Sequence, residues 1–259
     1  MGIVRGIMNS CFDINFEPDS GKVLAEIDRR VGETNNSGWI CVVDGNILAM
    51  VHKDPAYREI VQGAMFSIVD SSWVPVFVKR LYGYDWKQYC GSQIFDDITR
   101  MKKYRMCFVG GSRTVLDALK SNLTEIAPAI SSMKFMELPF CSVEEFDYES
   151  ISAEINADSP DIIWLSLGAP KQERFAAKLV PMLKRGVVIP VGAVFNFRSG
   201  LGIKRAPQWM VRHHIEFVYR IITEPRKQLR RCWLILRTYP KIYLKEKQKI
   251  RIQSLTEEK

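Results

Sequence analysis

Residues 162–173 read Ile-Ile-Trp-Leu-Ser-Leu-Gly-Ala-Pro-Lys-Gln-Glu, an apolar run followed at once by a turn and the start of a helix. The first four residues are typical of a buried strand, and the Gly-Ala-Pro turn bares backbone N–H groups at a helix N-terminus. Lys171 adds positive charge, so the turn predicts a place for an anion such as a nucleotide diphosphate. Gln172 and Glu173 supply an amide and a carboxylate that could read a ribose or a base. An ordinary strand-to-helix turn with solvated charges fits the same pattern.

Strands and helices alternate on both sides of this turn. Strands are predicted over Trp39–Val43, Met65–Val69, Arg105–Val109, Met133–Leu138, Ile162–Leu167 and Val187–Val191, with helices between them that include 143–157 and 172–184. This alternation predicts an α/β, Rossmann-like fold: a mostly parallel sheet with helices on both faces. Ligands of such sheets bind beyond the carboxyl ends of the strands. The polar and glycine-rich segments at those ends could therefore line one crevice; they are Asp70, Gly110-Gly111, Gly168 to Glu173 and Gly192 to Asn196.

Length and composition limit the class of protein. The 259 residues, 47% hydrophobic and 25% charged, fit one large domain or two small ones. No apolar run reaches about 18 residues, and the N-terminus does not have the pattern of a secretion signal, so neither feature is expected. The six cysteines are scattered without a Cys-x-x-Cys pair, which predicts reduced core residues of a cytosolic protein. The sequence has three histidines, two of them adjacent, and no Asp-x-Asp motif, so no metal site is expected.

The C-terminal fifth of the chain is strongly basic. Between Arg198 and Arg251 there are 15 Lys and Arg residues and 3 acidic ones, whereas the preceding 197 residues hold 21 and 24. We therefore divide the chain into an α/β core, 1–202, and a basic helical appendage, 203–259. From Arg226 to Lys249, basic residues alternate with Leu, Trp and Tyr at helical spacing, which predicts a basic amphipathic helix on an anionic membrane surface. The alternative is a helix docked on the core with solvated charges; nucleic acid is not expected, because the interleaved aromatics suit a lipid interface.

Three strand-end motifs each allow two interpretations. Asp70 could be a general base in a cleft or the N-cap of the following helix. The Gly110-Gly111-Ser112 turn is half of a dinucleotide fingerprint, and it suits the approach of a phosphate or sugar equally well. Asp44-Gly45-Asn46 is either plain turn chemistry or a polar part of the same crevice. A nicotinamide-dependent oxidoreductase is the alternative function, but it would need the complete fingerprint.

Seven short segments, some of them discussed above, follow one another along the chain in an order typical of a known family. They are Asp54-Pro55, Phe108-Val109-Gly110-Gly111, Leu167 to Glu173, Val191-Gly192-Ala193-Val194-Phe195-Asn196-Phe197, Arg205-Ala206-Pro207-Gln208-Trp209, Glu216-Phe217-Val218-Tyr219-Arg220 and Glu224-Pro225-Arg226. In this order, roughly from Trp39 to Tyr243, the chain resembles the bacterial WecG/TagA/CpsF glycosyltransferase family. The resemblance implies an inverting, metal-independent enzyme without a cofactor. It would move a hexose or N-acetylhexosamine-type sugar from a UDP-sugar to a polyprenyl-diphosphate-linked sugar.

The resemblance also implies a setting and partners. Such enzymes serve the synthesis of capsule, exopolysaccharide or teichoic acid, at the cytoplasmic face of the cell membrane. Peripheral contact with an anionic membrane is therefore expected. The resemblance is compatible with either a monomer or a homo-oligomer.

The resemblance implies functional roles for those residues of this chain that match the family's motifs. The implied catalytic residues are Asp70, as base, and Gln172. The UDP-sugar would contact Gly110, Gly111, Gly168, Ala169, Pro170, Lys171, Glu173, Gly192 and Asn196, with Lys171 the one most readily explained as a solvated charge. The acceptor diphosphate would contact Arg220, Arg226 and Arg230 of the appendage, which would also close the active site. The acceptor pocket would include Asp44, Asn46 and Gln88.

The chain departs from the family pattern around both pockets. Ser71 follows Asp70 where relatives usually have glycine, and Asp44 stands where many have asparagine. Gln88 lies near a common arginine position, and Asn196 replaces a frequent aspartate. These differences bear on the identity of the substrates more than on the class of reaction.

Overall fold

The computed structural model describes residues 10–33, 35–201 and 225–257, without the side chains of Arg226, Lys227, Gln228, Thr256 and Glu257. A short antiparallel hairpin, β1 and β2, comes first, and strands and helices then alternate as predicted. The strands are β1 Ser10–Cys11, β2 Ile14–Asn15, β3 Ser37–Val43, β4 Phe66–Val69, β5 Met106–Val109, β6 Lys134–Met136, β7 Ile162–Leu165 and β8 Gly186–Pro190. The α-helices are α1 Ser20–Gly32, α2 Gly45–Lys53, α3 Pro55–Gln62, α4 Trp73–Tyr82, α5 Gly91–Met101, α6 Arg113–Ile126, α7 Tyr148–Asp158, α8 Lys171–Leu179, α9 Val194–Ser199 and the C-terminal helix, Pro225–Glu257.

Six strands form one parallel sheet in the order β4-β3-β8-β7-β5-β6. The register pairs Val43 with Val69 on one side of β3, and Trp39 with Val188 on the other. Strands β5, β7 and β8 are buried along their whole length. Parallel strands covered on both faces become continuous apolar runs, which is why these segments carry no polar alternation. The structure confirms the predicted α/β sheet with helices on both faces.

Two apolar cores lie on the two faces of this sheet. On one face, Phe95 of α5 packs against Trp164 with ring centroids 4.7 Å apart. On the other, Phe175 of α8 packs with Phe146 at 4.9 Å. Because alternate side chains of one strand point to opposite faces, β7 contributes to both cores. The sheet is thus held rigidly between helices, with its strand ends free to carry a site.

Three local predictions were wrong in detail. The predicted helix over 143–157 is a 3₁₀ turn, Val143–Glu145, followed by α7, because the Asp147 carboxylate accepts from Ser150 N at 3.0 Å and starts a new helix. The predicted helix over 172–184 ends at Leu179 and continues as the 3₁₀ turn Val180–Met182, since Pro181 has no N–H to donate. Asp44-Gly45-Asn46 is not a free turn but the start of α2.

The C-terminal helix packs one face against the core. Tyr239 and Ile242 are buried there among core residues, and Lys245 pairs with Asp13 of the β1–β2 hairpin at 2.7 Å. The predicted basic helix from Arg226 to Lys249 is therefore present and runs on to Glu257. The opposite face leaves large apolar side chains exposed: Leu229, Trp233, Leu236 and Leu244.

Two other predictions concern residues that the structure does not describe. The first part of the predicted appendage, 203–224, lies outside the described residues, as does the predicted domain boundary at 202. Within the described part of the chain, no helix is long and apolar enough to span a bilayer.

Candidate active site at the carboxyl edge of the sheet

Five neighbouring strands each end in a predicted site segment. In sheet order, Asp70 follows β4, Asp44 follows β3, Gly192 follows β8, Gly168 follows β7 and Gly110 follows β5. Because the strands are parallel, all five segments lie at the same edge of the sheet. Four interstrand spacings of about 4.8 Å each separate the outermost two by roughly 19 Å. The topology therefore brings segments from residue 44 to residue 192 into one row, with Asp70 at one end and the glycine turns at the other.

Gln172 ties together the loops that follow β7 and β8. Its Oε1 accepts a hydrogen bond from Gly168 N at 3.1 Å, and it lies beside Gly192. Ser166 Oγ donates to Gly192 O at 2.7 Å and joins the same two loops. Gln172 is nearly buried, and its amide has one further N–H to offer. Through these contacts, Gln172 fixes the position of the predicted donor-binding turn at Gly168.

Glu173 has no exposed surface at all, with 0% of the residue accessible. Gln172 Nε2 donates to its Oε1 at 2.8 Å, and Tyr57 Oη donates to its Oε2 at 3.1 Å. Burial raises the pKa of Glu173 to about 7. A carboxyl enclosed in this way does not reach a ribose or a base, so the arrangement favours a supporting role over the direct contact expected from the sequence.

Lys171 is engaged rather than solvated. Its ammonium donates to the Cys141 carbonyl and lies 4.7 Å from the centre of the Phe146 ring.

The backbone of the turn before Lys171 is accessible to a ligand. Gly168 has a φ of +75° and open space where a Cβ would stand, which leaves its backbone open to a ligand. Ala169 and Pro170 complete this turn at the N-terminus of α8.

The Asp70 loop is held by its backbone. Asp70 N donates to Val43 O at 3.0 Å, and Gln88 Nε2 donates to Asp70 O at 2.7 Å. Ser72, not Asp70, occupies the N-cap position of α4, so the capping alternative for Asp70 was wrong. Gln88, predicted for the acceptor pocket, does lie against the predicted base.

Asp44 has a structural task at this edge. Its carboxylate accepts from Asn46 N at 3.0 Å and from Ile47 N at 2.8 Å, and so caps α2. Asn46 is nearly buried in the first turn of that helix, with its amide 3.5 Å from Met50 Sδ. Both residues lie at the predicted acceptor side, where the cap anchors the loop.

Packing explains one of the remaining glycines. Gly110 has a φ of +96°, and a Cβ there would stand 2.6 Å from Ser166 O, so close approach of two strand-end loops requires glycine. Gly111 follows in the same turn, and Asn196 is exposed in the first turn of α9.

The basic C-terminal residues are described in part. Arg220 lies outside the described residues, and the side chain of Arg226 is not described. Arg230 is exposed on the C-terminal helix one turn after Arg226. In the described ranges, no group of three His, Cys, Asp or Glu residues is placed to hold a metal ion.

Two residues of this region were missed by sequence reasoning. Tyr57 reaches Glu173 across 116 residues of sequence, and Tyr239 of the C-terminal helix reaches Ser71 across 168. Neither has a local signal, because each appears in the sequence as an aromatic residue at helical spacing.

Comparison with known proteins identifies the family. The model of the Glycosyl transferase WecG/TagA/CpsF family matches residues 10–253. Among similar proteins is an N-acetylglucosaminyldiphosphoundecaprenol N-acetyl-beta-D-mannosaminyltransferase of Bacillus spizizenii (strain W23), 26% identical over 199 residues, which is 75% of each chain. Proteins of the same name from Bacillus subtilis (strain 168; 26% identity, 77% of this chain and 75% of the relative) and Staphylococcus aureus (strain NCTC 8325; 23%, 74% of each) are also similar. Because the family match covers nearly the whole chain, this protein belongs to the WecG/TagA/CpsF family and is a glycosyltransferase.

Proposed function

We propose that this glycosyltransferase moves a hexose or N-acetylhexosamine-type sugar from a UDP-sugar to a polyprenyl-diphosphate-linked sugar during cell-surface polysaccharide synthesis. The observation that carries the proposal is the single row of strand-end segments, with a carboxylate at one end and glycine turns at the other. The names of the relatives support it, because they specify transfer of N-acetylmannosamine to an undecaprenol-diphosphate-linked N-acetylglucosamine. Capsule, exopolysaccharide or teichoic acid is the expected product.

The transfer is a single displacement at the anomeric carbon. Asp70 takes the proton of the acceptor hydroxyl as its oxygen forms the new bond to that carbon. The bond between the anomeric carbon and the UDP oxygen breaks at the same time, and UDP leaves with the electron pair. Attack from the side opposite the leaving group inverts the anomeric configuration.

The donor side must stabilise the charge that UDP gains. The N-terminus of α8, with the open backbone at Gly168, supplies partial positive charge without a metal ion. Gln172 and the buried Glu173 keep that turn in place. Arg220, Arg226 and Arg230 add the cations that a metal-independent reaction requires for the diphosphates.

The C-terminal helix suits a lipid-linked acceptor at the inner face of the cell membrane. Trp233 and Leu236 are 66% and 71% exposed on one face of the helix, and Arg230, Arg237 and Lys241 are exposed beside them. An apolar stripe flanked by cations is the pattern of a helix that lies in an anionic interface. We infer peripheral association through this face.

The Asp70→Asn variant tests the proposed base. The amide cannot take the acceptor proton, so we expect UDP-sugar-dependent transfer to a short-chain polyprenyl-diphosphate acceptor to fall by about a hundredfold or more. UDP affinity, measured by calorimetry, should stay close to that of the unmodified protein. Asp117→Asn, at an exposed carboxyl on α6, is the matched control and should leave transfer unchanged. Normal turnover by Asp70→Asn would refute the assignment.

A further inference from the structure

A hydroxyl pair connects the C-terminal helix to the loop of the proposed base. Ser71 Oγ lies 3.3 Å from Tyr239 Oη, and both residues are nearly buried, at 5% and 6% exposure. Ser71 Oγ also accepts from Trp73 N at 3.3 Å, which leaves the Ser71 hydroxyl hydrogen available for Tyr239. Ser71 follows Asp70 directly, at a position where the resemblance led us to expect glycine. A glycine would have no hydroxyl to form this contact.

The position of Tyr239 is closely defined by its neighbours. Its ring packs against Phe77 with centroids 5.5 Å apart and against Trp73 at 6.5 Å. Its hydroxyl stands 2.6 Å from where a Cβ on Gly45 would be, so it also abuts the first turn of α2. Burial raises the pKa of Tyr239 to about 12, and the hydroxyl is neutral under physiological conditions. Tyr239 therefore lies between the loops that follow β3 and β4.

The loop at Asp70 is consequently held from two sides. Val43 O and Gln88 Nε2 bond its backbone from the sheet and from the segment before α5. Tyr239 holds the next residue from the C-terminal helix. Without the Tyr239 contact, the loop that carries the Asp70 carboxylate would lose its support from the C-terminal helix, and general-base catalysis depends steeply on the position of the base.

We propose that Tyr239 is a positioning residue for Asp70, which it holds in place through its hydrogen bond to Ser71. This inference rests on the proposed function insofar as Asp70 is the base. The contact itself requires both hydroxyls, one from Ser71 and one from Tyr239. It assigns the C-terminal helix a part in the chemistry besides any part in binding lipid.

The test compares the loss of two hydroxyl contacts, both of them made between the C-terminal helix and the core. Tyr239→Phe and Ser71→Ala each remove one partner of the pair and keep the packing. Tyr82→Phe is the matched control, since Tyr82 Oη donates to Glu246 Oε1 of the C-terminal helix at 2.6 Å and not to the Ser71–Tyr239 pair. We expect Tyr239→Phe and Ser71→Ala each to lower kcat about tenfold, with the KM for UDP-sugar unchanged. The double variant should be no slower than Ser71→Ala, because Tyr239→Phe removes a bond that Ser71→Ala already lacks.

Hydrogen exchange gives a readout that does not depend on turnover. The amides of Asp70 and Trp73 should exchange about tenfold faster in Tyr239→Phe than in Tyr82→Phe. Unchanged exchange at these amides, or a loss of kcat that is equal in Tyr239→Phe and Tyr82→Phe, would overturn the inference. If the unmodified protein transfers no sugar but exchange responds as expected, the positioning contact stands and the proposed function fails.

Discussion

Glu173 holds Gln172 in place from beneath the surface of the site. Both of its oxygens accept hydrogen bonds, one from Gln172 and one from Tyr57. The Arg174 guanidinium lies 5.5 Å from the centre of the Tyr57 ring and pairs with Asp54 at 3.2 Å, which closes the cluster toward solvent. A single buried carboxyl thus connects α3 with the turn that leads into α8.

The free energy of unfolding should depend on pH through the titration of the Glu173 carboxyl. Burial raises the pKa of the folded-state carboxyl from the ordinary value of 4.5 to about 7. Its contribution is therefore fully present below pH 4.5 and is lost as the pH rises through about 7. From pH 5 to pH 8, the free energy of unfolding should fall by about 1–3 kcal/mol more in the unmodified protein than in Glu173→Gln, which does not titrate.

Urea unfolding at several pH values measures this difference. Glu59→Gln removes an exposed carboxyl from the helix that carries Tyr57, and it should keep the pH dependence of the unmodified protein. Parallel curves for the unmodified protein and Glu173→Gln would show that the buried carboxyl does not titrate in this range.

The C-terminal helix has two apolar faces with different uses. Tyr239 and Ile242 bury one face against the core, while Trp233 and Leu236 expose the other. Glu246 is buried too, but it accepts a hydrogen bond from Tyr82, so the charge is accommodated on the core side. An exposed stripe of this kind costs free energy in water, which is recovered at a lipid interface.

Replacing the exposed stripe should weaken vesicle binding. We expect Trp233→Ser/Leu236→Ser to bind vesicles containing anionic lipid about tenfold more weakly or worse, because two large apolar side chains no longer enter the interface. Phe140→Ser removes an even more exposed aromatic side chain from the loop after β6 and should not change binding. Flotation on a density gradient measures this, and equal flotation of both variants would contradict membrane contact through the helix.

The whole molecule places the row of loops on a rigid sheet. Loops from five strands meet at one edge. Hydrogen bonds from Ser166 to Gly192 and from Gln88 to Asp70 help to fix them there. Ligand that binds such an edge contacts several elements at once and stabilises the folded chain by mass action.

UDP should therefore raise the melting temperature of the protein in millimolar EDTA. At a hundredfold excess over its Kd, a ligand adds about 2.7 kcal/mol, which corresponds to roughly 5–10 °C for a chain of this size. NAD at the same concentration should give no shift. A UDP shift that EDTA abolishes would contradict metal-independent donor binding, and a shift with NAD alone would favour the oxidoreductase alternative.

Much of the fold could be predicted because apolar runs and turn residues act locally. All six strands of the main sheet were located from their sequence, and their ends differ from the prediction by one or two residues. The errors arose where a single residue changes the backbone, as with the cap at Asp147 and the missing N–H of Pro181. From the sequence, the strand-end segments were expected to line one crevice. Which loops are neighbours in it could not be predicted, since no local pattern gives the order of the strands in the sheet.

By itself, the sequence determined the alternation of elements, the glycine turns at the strand ends, the basic C-terminal helix and the family to which the chain belongs. These depend on periodicity and on motifs a few residues long, which persist whatever the rest of the chain does. Tertiary structure alone decided that Glu173 is a buried support, that Lys171 turns to the Cys141 carbonyl, and that Tyr239 meets Ser71. Burial and long-range hydrogen bonds depend on which distant segments pack together, and that is a property of the whole folded chain rather than of any stretch of it.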